Sequence, residues 1–120
     1  MDNTTTIEEL KKSVIEFRDR RNWKQFHDIR NLCMGLSIEA AELQEVFLWK
    51  SPDEAAAMLA SEPDRKRIRE ELADVLVFAL YVSEAAGIDL SSAVEEKLAI
   101  NEKKYPVEKS FNSSRKYTDL

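Results

Sequence analysis

Residues that interrupt helices are nearly absent from this chain: two glycines and three prolines among 120 residues. A turn-rich β architecture needs many more of both, so long uninterrupted helices are what the sequence permits. Thr6-Ile7-Glu8-Glu9 has capping-box spacing, and Ile7, Leu10, Val14 and Phe17 (with Ile15) follow at helical intervals. That predicts a first helix from about Thr6 to about Arg21. A connector over residues 22–27 then carries two aromatics and the only histidine. Asp28 can cap a second helix, expected to continue to about Lys50 and to stop before Ser51-Pro52. Ser51-Pro52-Asp53-Glu54 opens a short helix through Leu59, with proline at its first position. Ser61-Glu62-Pro63-Asp64 starts a third main helix that lasts until Gly87, a natural C-terminal stop. Ser92 with Glu95 opens a fourth, ended by Tyr105-Pro106. Residues 1–5 read as an N-terminal arm, and residues 107–120, polar and without period, as an extended tail. The expected fold is all-α, a four-helix bundle in a single domain over residues 1–120.

Composition narrows the functions open to such a bundle. The longest purely apolar run, Val75 to Val82, falls far short of the roughly 18 residues needed to span a bilayer, so no membrane is expected. No basic stretch followed by an apolar one opens the chain, so no export signal is expected, and the single Cys33 suits a reducing cytoplasm. A net charge of −5 without a basic block argues against binding a nucleic-acid polymer. A protomer of this size builds a marginal core alone, which makes a homo-oligomer the expectation.

Two stretches then break the helical pattern. In Leu36-Ser37-Ile38-Glu39-Ala40-Ala41-Glu42, Glu39 falls in the middle of the apolar stripe formed by Leu32, Leu36, Leu43 and Val46. Glu42 lies about 60° to one side, and Glu45 about 60° further round. In the third helix Glu71 sits among Ile68, Val75, Phe78 and Val82, with Asp74 again about 60° to the side. Beyond Asp74 that helix is apolar on nearly every side, as a central or interface helix is. A single E-x-x-E on a helix usually marks a solvated face. Two in the same phase, each with its first acid inside the stripe, require relief: an unpaired buried carboxylate costs several kcal/mol. The basic residues of the third helix cluster in its first turns, so a hard divalent ion, Mg²⁺ or Mn²⁺, held by Glu39, Glu42, Glu71 and Asp74 is the better solution. A di-iron carboxylate bundle needs Glu-x-x-His pairs, and His27 stands in the connector without one.

Glu39-x-x-Glu42 followed by Glu71-x-x-Asp74 resembles the signature of the MazG-like all-α nucleoside triphosphate pyrophosphohydrolases. Arg21-Asn22-Trp23-Lys24-Gln25-Phe26-His27, Arg30-Asn31-Leu32, Phe47-Leu48-Trp49-Lys50, Lys97, Asn101, Tyr105-Pro106-Val107 and Lys116-Tyr117-Thr118-Asp119-Leu120 are similar to its dCTP pyrophosphatase branch in order and spacing. The resemblance implies Mg²⁺-dependent cleavage of a (d)NTP, dCTP or modified dCTP, between the α and β phosphates to give monophosphate and pyrophosphate. It implies metal ligands at Glu39, Glu42, Glu71 and Asp74, with Glu42 or Glu45 taking the proton of the attacking water. It places Trp23, Trp49 and His27 around the base, and Phe78 where that branch often carries tyrosine. Lys97, Asn101 and Tyr105, one stripe of the fourth helix, would face phosphate or sugar. Assembly as a dimer or a dimer of dimers is also implied. The competing reading is a non-catalytic helical interaction module in which the acids hold a structural cation.

Overall fold

Helices begin in this chain where a side chain can accept the first free N–H groups. The computed structural model describes residues 1–120 and is helical throughout, without strands. Helix α1 spans Ile7–Asp19; the Thr6 hydroxyl accepts from the Glu9 amide at 3.1 Å, and the Glu9 carboxylate accepts from the Thr6 amide at 2.7 Å. After a short 3-10 turn at Lys24–Phe26, α2 runs Ile29–Glu45, with the Asp28 carboxylate accepting from the Asn31 amide. Helix α3 spans Pro52–Met58 behind the Ser51 cap. Helix α4 spans Glu62–Ala86 and closes on Gly87, whose φ of 64° is left-handed. The predicted starts at Thr6, Asp28 and Ser51 and the stop at Gly87 are all found.

Three expectations need correction. The second helix does not reach Lys50. After Glu45 the backbone bonds tighten, with Phe47 donating to Gln44 and Leu48 to Glu45, and Trp49 turns left-handed at φ 65°. Pro52 holds Ser51 extended, so the chain must leave the helix before it. The fourth main helix, α5 (Leu90–Lys104), is capped by Asp89, which accepts the Ser92 amide at 2.8 Å, rather than by Ser92 itself. The tail is not wholly extended: α6 (Val107–Ser110) follows Pro106, and a 3-10 turn forms at Tyr117–Asp119.

The chain divides into two compact units, Met1–Gly87 and Ile88–Leu120. In the first, α4 packs mainly on α2 and also on α1. Leu32, Val46, Met58, Leu80 and Tyr81 are its buried apolar residues, each Leu worth roughly 1.5–3 kcal/mol. Tyr81 also ties α4 to α1, donating its hydroxyl to the Val14 carbonyl at 2.9 Å. Arg18, only 2% exposed, donates to Asp19 at 2.8 Å and across to Glu84 on α4 at 3.0 Å. In the second unit the Tyr105 and Tyr117 rings meet edge to face at 5.9 Å, which fastens the C-terminal turn to the end of α5.

Much apolar surface stays outside this packing. Leu72 and Leu76 on α4 are 55% and 42% exposed and, with Ala73, Val75 and Ala79, line a groove of about 590 Å³. That accounts for the sequence of α4, apolar on faces that neither α1 nor α2 covers. No single helix is long and apolar enough to cross a membrane.

Candidate metal centre

Glu39 and Glu42 share the face of α2 that meets α4, because three residues separate them along a helix. Gly35, one turn earlier on α2, touches Phe78, two turns beyond Glu71 on α4. The two helices therefore run antiparallel across the site. That register gathers Glu39, Glu42 and Glu71 so that one carboxylate oxygen from each lies within 4.8 Å of the others. Asp74 adds charge beside the trio rather than an oxygen within it.

The electrostatics are those of carboxylates crowded together. Burial raises the Glu39 carboxyl first; hydrogen bonding to Glu42 and the charges of Glu42, Asp74 and Glu71 add to it, and its pKa is pushed up to about 7. Glu71 is raised by burial and then by the charges of Glu42 and Asp74. None of the four acids makes an ion pair. One buried oxygen of Glu39 and one of Glu71 have no hydrogen-bond partner, where buried polar atoms almost always have one. An all-oxygen donor set with orphaned carboxylate oxygens fits a hard divalent cation.

Around the trio the remaining predicted residues separate. Phe78, Tyr81 and His27 form one aromatic chain, with ring centroids 6.0 Å and then 4.8 Å apart, each contact edge to face. His27 is half-buried and its Nδ1 has no partner; burial and then the charge of Arg18 depress its pKa against the opposing pull of Glu84, so the ring is neutral at pH 7. Trp23, 44% exposed, packs instead on Phe17 at 5.9 Å, with the Arg21 guanidinium 3.6 Å above the Phe17 ring.

Trp49, which the resemblance places around the base, lies beyond the end of α2, 91% exposed, and lines with Glu45, Ala41, Gln44, Phe47 and Leu48 a groove of about 610 Å³. Lys97 and Asn101 lie on α5 of the second unit, and Tyr105 just past its last helical residue. Sequence reasoning missed Tyr81, the brace between His27 and Phe78. Its one signal is its place on α4, three residues after Phe78 and so on the same face.

Residues 35–120 match the MazG-like family. The chain belongs to the MazG-like family. The match takes in both acid pairs and the whole of α4 and α5. Among curated proteins, the chain is 39% identical over 115 residues to human dCTP pyrophosphatase 1, spanning 96% of this chain and 68% of that one. The bovine dCTP pyrophosphatase 1 is 38% identical over the same length. Among solved structures, a pyrophosphatase from Archaeoglobus fulgidus superposes with a TM-score of 0.77 at 42% identity, over 82% of this chain and 91% of that one. The all-α MazG-like fold expected from the sequence is thus confirmed.

Proposed function

We propose that this MazG-like protein is a Mg²⁺-dependent pyrophosphohydrolase of dCTP or modified dCTP, yielding the monophosphate and pyrophosphate in the cytoplasmic nucleotide pool. That it is a nucleotide pyrophosphohydrolase follows from the family and from relatives named as pyrophosphatases. The observation that carries the metal dependence is the trio of carboxylates with two buried, unpartnered oxygens.

In this reading Glu39, Glu42 and Glu71 hold Mg²⁺ (or Mn²⁺), with Asp74 as the fourth acid. The ion, when bound, neutralises charge between carboxylates and phosphates and acidifies the attacking water. A triphosphate carries about four negative charges, so an acidic protein needs that neutralisation to admit it. Glu42 and Glu45 are exposed carboxylates able to take the proton as water attacks the α phosphorus. The bond to the bridging oxygen then breaks and pyrophosphate leaves. Trp23, Trp49, Phe78 and the neutral His27 are assigned to the nucleoside, and base stacking on an aromatic contributes about 1–3 kcal/mol. Lys97, Asn101 and Tyr105 of the second unit are assigned to phosphate or sugar.

A homodimer or tetramer completes the reading. It is supported by the exposed Leu72 and Leu76 and by a protomer with few fully buried apolar residues. Purified protein with Mg²⁺ should release pyrophosphate from at least one member of a panel of common (d)NTPs that includes methylated dCTP, and chelation should stop it. Silence across the panel would favour the interaction module. Light scattering that finds a 13.8 kDa monomer would remove the assembly.

A further inference from the structure

Glycine is among the poorest helix formers, and Gly35 sits inside α2 with no left-handed backbone to excuse it. Space explains it. A Cβ built on Gly35 would lie 2.2 Å from Cε1 of Phe78, 2.7 Å from Cδ1 and 2.8 Å from Cζ. The phenyl ring rests on the backbone of α2, in the volume a side chain would take.

We propose that Gly35 is a positioning residue: its bare backbone lets α2 and α4 close on the Phe78 ring, and that contact sets the spacing at which Glu39 and Glu42 meet Glu71. The proposal rests on the reading of those acids as a cation site. Three observations support it. Gly35 lies one turn from Glu39 and so shares its face of α2. Phe78 lies two turns from Glu71 on the opposing helix. The ring is also not free to swing aside, because Tyr81 backs it edge to face at 6.0 Å. Tyr81 is itself buried and held by its bond to the Val14 carbonyl. An added methyl at position 35 therefore drives the helices apart, and the first groups to separate are the carboxylates one and two turns away. Interiors are close-packed, so such a shift is not absorbed locally.

In an ordinary helix Gly→Ala is stabilising, so the expected sign here is reversed. The test titrates Mn²⁺ and Mg²⁺ by calorimetry into the full-length chain and its Gly35→Ala, Phe78→Leu and Gly35→Ala/Phe78→Leu variants, with helicity followed by circular dichroism. Gly35→Ala should weaken metal binding about tenfold, a size typical of residues that orient ligands without touching the ion. The double variant should bind as tightly as Phe78→Leu alone, because the shorter side chain leaves room for the methyl. Gly35→Ala binding metal like the wild type, or the double variant binding more weakly than Phe78→Leu, overturns the proposal. If Gly35→Ala alone fails to fold, the comparison of the double variant with Phe78→Leu decides. Absence of metal uptake by the wild type removes the cation-site reading and this proposal together, whereas uptake unchanged by Gly35→Ala removes this proposal alone.

Discussion

Helix α4 carries two acids into the interior of the first unit and treats them in opposite ways. Glu84, toward its C-terminal end, meets the buried Arg18 of α1 at 3.0 Å, and Asp19 shares the same guanidinium. Glu71, roughly 20 Å away along the axis, meets Glu39 and Glu42 and no cation. Both clusters place charge against packed helices. One is complete within the protein: the Arg18 guanidinium holds Asp19 below the usual carboxylate range. The other gathers carboxylates alone, and Glu39 and Glu71 are held above that range. Where charge serves cohesion the chain supplies the counter-charge itself. In the proposed reading of the acid trio, that charge would come from a ligand.

The largest expected effect tests the complete cluster. Arg18→Ala strands Glu84 and should cost about 3 kcal/mol in urea denaturation, the low end for a broken buried pair because Glu84 and Asp19 keep some water. Arg18→Met with Glu84→Leu should recover most of that loss. Stability unchanged in Arg18→Ala would erase the contrast. At the carboxylate cluster, Glu39→Gln and Glu71→Gln should each lower kcat/KM at least about 100-fold, roughly 2.7 kcal/mol, while leaving helicity intact. Retained turnover would take the residue out of the mechanism.

The third effect reverses the usual direction of a carboxylate. Without divalent ions the folded Glu39 binds its proton up to about pH 7, while the unfolded group lets go near 4.5. Its contribution is therefore fully present at low pH and is lost as pH rises through that window. Relative to Glu39→Gln, the wild type should lose about 1–2 kcal/mol between about pH 5 and about pH 7, a value already reduced for solvent screening. Added Mg²⁺ should restore it in the wild type and not in the variant. Parallel pH profiles for the two proteins would contradict this. The smallest effect concerns Tyr81, which touches both regions through His27 and Phe78. Tyr81→Phe should cost about 1 kcal/mol by removing the hydroxyl's bond to the Val14 carbonyl, which keeps its helical amide partner, with KM for nucleotide unchanged because the ring remains. A raised KM would give the hydroxyl a part in the site.

The acid cluster was legible in the sequence because a charge inside an apolar stripe violates helical periodicity, and Glu39 and Glu71 both do so. The caps were legible because Thr6, Asp28 and Ser51 act on amides within three residues of themselves. The Arg18–Glu84 pair, the Gly35–Phe78 contact and the Tyr81 brace were not. Each joins residues far apart in the chain, and a lone arginine or glycine in a helix leaves no periodic mark. The end of α2 was misjudged for a related reason: Phe47 and Leu48 continue the apolar pattern after the backbone has left the helix. Asp89 was overlooked because Ser92 and Glu95 offered an equally plausible local cap. Which acids meet, Glu39, Glu42 and Glu71 with Asp74 beside them, only the fold could show.

The two indoles occupy unlike surroundings: Trp23 leans on Phe17, whereas Trp49 stands on a left-handed residue with its ring in solvent. The protomer thus carries its own optical gauge. Emission from a bare indole is red-shifted and shifts to the blue when a flat partner covers it, so a nucleotide docking against Trp49 would report its arrival without any added label.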